Sequence, residues 1–188
     1  EPQAKPAKPT DLVLEKWVST CQKNITIFEI QDYFKNVMYG SFVNQSVTYV
    51  LCAIIADINV MITGQAGTGK SFFAQEFFKM FDNAKIGSIQ FFADLPSDTV
   101  LGTYDLKAFE NGELKREFQH SIANNHFLFL DEIEKSAENV KHAMFSLLAE
   151  KKIYDQNKAV DFSNIEGIIA TRNYELDDEA FIDRFNLC

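Results

Sequence analysis

Eight residues, Gly64–Ser71, read GQAGTGKS and fit the pattern G-x-x-x-x-G-K-[ST] at every fixed position. Glycines in such a run let several backbone N–H groups point inward at phosphate oxygens, and a following helix adds its positive end. In that setting Lys70 neutralises charge on the β and γ phosphates, and Ser71 offers its hydroxyl to Mg2+. The candidate cradle is thus Gly64, Gln65, Ala66, Gly67, Thr68, Gly69, Lys70 and Ser71. The plain alternative is a Gly-rich turn that holds nothing. The complete pattern, set between a strand and a helix, speaks against it.

Three further runs end in groups that suit phosphate chemistry. In FLFLDE (Phe127–Glu132) four apolar residues form a buried strand with two carboxylates at its carboxyl end, where open α/β sheets bind ligands. Asp131 would hold the Mg2+ shell and Glu132 would polarise an attacking water as general base. Taken alone, DEIEK could equally be an acidic helix start that complements a helix dipole. GIIATRN (Gly167–Asn173) places Asn173 at another strand end, suited to bonding the attacking water and the γ-phosphate; strand-end Asn is also a common turn residue. AFIDRF (Ala180–Phe185) carries Arg184, one of three arginines with Arg116 and Arg172. An arginine that stabilises charge on a transferring phosphoryl group raises rates about 10³–10⁵-fold in some nucleotide hydrolases.

These groups require strands and helices in alternation. Asp11–Val18 and Ile27–Met38 read as helices, Val43–Asp57 as another with apolar residues at helical spacing, and Gly40 breaks the pattern between them. Asn59–Thr63 is a strand that runs into the Gly-rich loop, and Lys70–Phe81 is the helix after it. Ser88–Phe92, Phe127–Leu130 and Ile165–Thr171 are strands, Ala137–Glu150 a helix, and Asp177–Phe185 a short helix or turn. FENGEL (Phe109–Leu114) holds Asn-Gly, the strongest short hairpin signal, between TYDLKAF and KREF. Ile153–Tyr154 and Val160–Phe162 flank DQNKA as a second hairpin. The pattern predicts an α/β fold: a mostly parallel sheet with helices on both faces and two inserted hairpins.

Composition bounds the rest. At 188 residues and 46% hydrophobic, the chain has enough apolar mass for one core, and its eighteen Phe read first as core filling. A net charge of −9 argues against a surface built throughout for nucleic acid. Cys21, Cys52 and Cys188 are odd in number and lack C-x-x-C spacing, so a reducing cytoplasm fits better than a disulfide or zinc framework. His120, His126 and His142 form no metal pattern. The longest apolar run, near Val47–Ala56, is too short to span a bilayer. EPQAKPAKPT (1–10) reads as a linker or tail, and 11–188 as one nucleotide-binding core.

The order phosphate loop, Asp-Glu strand, strand-end Asn, then D-R-F resembles the AAA+ ATPases, and more narrowly their MoxR branch. The matching runs are GQAGTGKS, DLPSDTVLG (Asp94–Gly102), FLFLDEIEK, IIATRN and AFIDRF, in that order, over roughly Ile27 to Leu187. The resemblance implies a three-layer phosphate-loop NTPase sheet with ATP and Mg2+ as ligands. Asn173 would be sensor 1 and Arg184 an arginine finger reaching the ATP of a neighbouring subunit. It implies a homo-oligomer, commonly a hexameric ring, working on protein clients beside partners with a von Willebrand A domain. Ala66 stands where Pro is frequent, Arg172 and Tyr174 replace common Gln and Pro, and ELDDEAF is shorter than usual, which bears on the finger's reach. FNLC (Phe185–Cys188) resembles the start of a fifth sheet strand, and the helical lid with its sensor 2 arginine does not follow. These 188 residues are therefore expected to bind nucleotide weakly or to hydrolyse it slowly by themselves.

Two other classes compete. One is a nucleotide-dependent assembly switch with little turnover. The other is a nucleic-acid motor using Lys107, Lys115 and Arg116 of the first hairpin, although Asp105, Glu110, Glu113 and Glu117 make that a mixed solvated face. A small-molecule kinase would leave Asn173, Arg184 and the insert unexplained.

Overall fold

The computed structural model describes residues 27–38, 43–81, 84–118, 121–155, 158–173 and 179–185. The expected tail, the helix Asp11–Val18, Gly40, Cys21, Cys188 and the start of a fifth strand lie outside them.

Among the described residues, four strands form one parallel sheet. In chain order they are β1 (Val60–Thr63), β2 (Ile86–Gln90), β3 (Phe127–Asp131) and β6 (Gly167–Arg172), arranged β1-β6-β3-β2. Their apolar runs are nearly continuous, as a sheet buried on both faces requires. Alternate side chains serve opposite faces. Met61, Leu128, Leu130, Ile168 and Ala170 enter one core, whereas Val60, Phe127, Phe129 and Ile169 enter the other.

The second core is covered by α1 (Ile27–Val37), α2 (Val43–Ile55) and α3 (Lys70–Phe78). Phenylalanines fill it: Phe34 lies 5.4 Å from Phe73, Phe78 lies 5.4 Å from Phe127, and Phe81 lies 4.5 Å from Phe127. The first core is covered by α4 (Ser97–Leu101), α6 (Glu138–Glu150) and α7 (Glu179–Ile182). Chain-end registers follow from the pairing. Gln90 lies opposite Asp131, Leu130 opposite Ala170, and Thr63 opposite Arg172, so the four carboxyl ends form one edge.

One expected hairpin is present, β4 (Lys152–Asp155) antiparallel to β5 (Lys158–Asp161). The other is corrected: Leu106–Glu110 is a helix (α5), and strand pairing shrinks to one antiparallel bridge between Tyr104 and Arg116. The reason is local. Asp105 caps the helix, its carboxylate accepting from the N–H groups of Lys107 and Ala108. Asn111-Gly112 then closes it: the Gly112 N–H donates to Phe109 O at 2.9 Å and the Glu113 N–H to Ala108 O at 2.9 Å. That bonding pattern ends a helix and leaves Asn-Gly no part in a two-residue turn.

The base of this insert is held by Arg116, which donates to Asp98 Oδ1 at 2.8 Å and to Gly102 O, and lies 4.2 Å over the Tyr104 ring. Gly102 has φ of +87° and ψ of 158°. A Cβ there would stand 2.2 Å from Glu117 O. Gly102→Ala is expected to destabilise the chain by roughly 2–4 kcal/mol, because it adds a backbone clash to a glycine-only conformation. Denaturant unfolding of the variant against the parent checks this.

Candidate functional site

The loop between β1 and α3 depends on two left-handed glycines. Gly67 has φ of +80° and Gly69 of +83°. Gly69 is also the residue on which α3 begins, so the chain turns and enters the helix at once. Gln65, Ala66, Gly67 and Thr68 are exposed and Gly64, Gly69, Lys70 and Ser71 half-buried, which leaves the loop open for a ligand.

Around the loop, side chains from three strand ends meet. Lys70 Nζ donates to Gly64 O at 2.7 Å, to Gln65 O at 2.9 Å and to Asn173 Oδ1 at 2.8 Å. Ser71 Oγ donates to Asp131 Oδ1 at 2.8 Å, and Thr171 Oγ1 donates to the same oxygen. The Glu132 N–H donates to Thr171 Oγ1 at 3.1 Å. Glu132 itself has φ of 54° and ψ of 46°, a left-handed conformation that costs a non-glycine residue about 1–2 kcal/mol. Such strain concentrates at functional sites, where the surroundings hold it in place.

The Glu132 carboxylate accepts from Asn173 Nδ2 at 3.1 Å, Gln90 Nε2 at 2.9 Å and Lys135 Nζ at 2.8 Å. The Lys135 bond, followed by that of Gln90, holds its carboxyl below the ordinary carboxylate range. A carboxylate kept ionised can accept a proton. The Asn173 N–H donates to Glu134 Oε1 at 3.0 Å, which fixes the Asn173 main chain at the end of β6.

Lys70, Ser71, Asp131, Glu132 and Asn173 thus come together. Arg184 does not join them. Its main-chain O accepts from Asn59 Nδ2 at 2.8 Å, next to the amino end of β1, the opposite end of that strand from the loop. Its guanidinium lies 5.4 Å over the Phe145 ring, and its Nε is buried without a partner. It helps line a surface cleft of about 260 Å³ with Asp57, Asn59, Glu150, Lys151 and Asp183.

Four contributors escaped the sequence reading: Gln90, Thr171, Glu134 and Lys135. Thr171 had a signal, since it sits two residues before Asn173 and so shares its face of β6. Gln90 is the last residue of β2 and becomes visible only once Gln90 is seen to pair with Asp131.

The sequence model of the AAA domain of the dynein-related subfamily matches residues 59–185. The chain belongs to this AAA family. The match starts just before β1 and ends at Phe185, so it takes in the whole sheet and all the gathered side chains. The AAA domain also resembles the crystal structure of a candidate ATPase from Cytophaga hutchinsonii, with a TM-score of 0.63 and 22% identity. The superposition covers 94% of this chain and 51% of that one. This likeness establishes the fold, an α/β phosphate-loop AAA+ core, and the chain spans about half the length of that protein. No curated protein matches it. Among the described residues, no helix is long and apolar enough to cross a membrane.

Ser71 and Asp131 present hard oxygen donors 2.8 Å apart. Mg2+ is commonly held by one or two such groups together with substrate phosphates, so the pair fits it. Thr171 is the buried hinge of this arrangement, only 1% exposed. Thr171→Val removes both its bonds at nearly constant shape. It is expected to cost about 1–3 kcal/mol in stability and to weaken Mg2+-dependent binding of ATP. Thermal unfolding and titration with a fluorescent ATP analogue, with and without Mg2+, test both effects.

Proposed function

We propose that this AAA domain is an ATP-hydrolysing, MoxR-type core that works in a ring to remodel or assemble protein clients. The observation that carries the reading is the convergence of Lys70, Ser71, Asp131, Glu132 and Asn173 on one sheet edge. A binding loop alone needs only the first two. Residues 11–188 form the core in this reading, and 1–10 a linker to it.

The loop N–H groups and the start of α3 receive the phosphates of ATP. Lys70 exchanges its bonds to Gly64 O, Gln65 O and Asn173 Oδ1 for phosphate oxygens. Ser71 and Asp131 would hold Mg2+, which when bound neutralises charge across the β and γ phosphates. Glu132 takes a proton from the attacking water, and Asn173 orients that water between Glu132 and the phosphate. Arg184, set apart from its own loop, is left for a neighbour's ATP, which supports a homo-oligomeric ring, hexameric in the MoxR pattern. A von Willebrand A domain partner and a cytoplasmic location belong to the same reading and rest on that resemblance.

The nucleic-acid reading is weaker. Arg116 is engaged by Asp98, Gly102 and Tyr104 and is only 9% exposed, which takes away one of its three cations. The assembly-switch reading differs only in turnover, so turnover decides it.

Glu132→Gln is expected to lower ATP hydrolysis by about 10²–10⁴-fold and to keep binding of a fluorescent ATP analogue. Turnover absent from the parent protein at every concentration would favour the switch instead. Arg184→Ala is expected to lose about 10³-fold or more. Mixing Arg184→Ala with Glu132→Gln subunits is expected to recover part of the activity. Two variants that stay inactive when mixed would show that Arg184 does not act on a neighbour's site.

A further inference from the structure

We propose that Lys135 is a positioning residue for Glu132, holding one carboxylate oxygen back so that the other faces the reacting water; this rests on the ATPase reading above. The two oxygens are used differently. Oε1 accepts from Asn173 Nδ2 at 3.1 Å, and Asn173 in turn accepts from Lys70 at 2.8 Å. Oε1 therefore looks toward the phosphate loop. Oε2 accepts from both Lys135 Nζ at 2.8 Å and Gln90 Nε2 at 2.9 Å, and so is tied to the turn after β3 and to the end of β2. With one donor on it, Oε1 keeps a lone pair for a proton from water; Oε2 is filled.

The turn brings Lys135 to this place. Glu132, in its left-handed conformation, starts a 3-10 turn over Ile133–Lys135. The Lys135 N–H donates to Glu132 O at 2.9 Å. Across this turn the Lys135 ammonium meets the Glu132 carboxylate at 2.8 Å. Ile133, fully buried, anchors the turn to the core below. Glu134 is not a competitor for Lys135 in this role, because its Oε1 holds the Asn173 N–H.

A positioning group is needed because the last torsion of a glutamate is broad and roughly two-fold. A half-turn only exchanges two equivalent oxygens, so what matters is the plane of the carboxylate, which Lys135 sets together with Gln90 and Asn173. Lys135 is 42% and Glu132 22% exposed, so the pair is partly screened and the expected effect is moderate.

The test measures phosphate release from ATP and binding of a fluorescent ATP analogue in the full-length protein that carries this domain. Lys135→Met keeps the stem and removes the charge. Its kcat is expected to fall about tenfold, while affinity for the analogue stays within about twofold. Lys135→Arg, which can still donate to Oε2, is expected to recover most of the rate. In a Glu132→Gln background, Lys135→Met is expected to change residual turnover by less than about twofold, since the pair acts as a unit. An unchanged or higher kcat in Lys135→Met overturns the assignment, as does an equal loss in Lys135→Arg. A parallel fall in thermal stability and analogue affinity, with the rate restored by neither variant, makes Lys135 a structural residue of the turn and also overturns it. Turnover that is absent from the parent overturns the ATPase reading itself, and turnover undiminished by Glu132→Gln removes Glu132 from the role of base. Either result is distinct from an active parent indifferent to Lys135.

Discussion

The carboxylate of Asp131 joins three stretches of chain that are far apart in sequence. Its Oδ1 accepts from Ser71 at the start of α3 and from Thr171 on β6, while Asp131 itself ends β3. A single oxygen thus ties together the phosphate loop, the central strand and the strand that carries Asn173. The rest of the site is placed relative to it. Thr171 reaches on to the Glu132 N–H, and Asn173 links Lys70 to the Glu132 carboxylate. Lys70, Ser71, Asp131, Glu132, Thr171 and Asn173 are each bonded within the site, while Glu134 Oε2 beside them is buried without a partner. Satisfied polar networks are rigid.

That network depends on the sheet below. Parallel pairing places the carboxyl ends of β2, β3, β6 and β1 in one line, and each end supplies a polar group where its apolar run stops. The two phenylalanine-rich and aliphatic cores hold the strands in that register from both faces. A slip of one residue would send Asp131 and Thr171 to the face away from α3, because side chains alternate along a strand. The apolar packing thereby acts on the chemistry through register alone.

The loop and the carboxylates differ in how they are held. Gly67 and Gly69 give the loop its turn by backbone freedom, and Lys70 bonds back to the loop's own carbonyls. Glu132 is held by the reverse means, a strained backbone fixed by neighbours on three elements. Lys70 is thus tied mainly to its own loop, whereas Glu132 is tied to β2 through Gln90 and to the following turn through Lys135.

Much of this was legible in the residues themselves. The phosphate loop, its strand and its helix follow from GQAGTGKS, since glycine spacing, lysine and serine are a local pattern that needs no distant partner. Strand ends at Asp131 and near Thr171 follow from where apolar runs meet polar residues, again a local property. The insert was misread for a local reason of another kind: Asn-Gly serves both as a hairpin turn and as a helix end, and the Asp105 cap decided for the helix. What tertiary structure alone decided is which strand ends become neighbours. No spacing joins Gln90 to Glu132 or Ser71 to Thr171, since their meeting comes from strand order β1-β6-β3-β2 and its register. Lys135 lies between these cases. Its distance in sequence from Glu132 is short, but only the left-handed start of the turn, held by Thr171 from another strand, brings the two charges together.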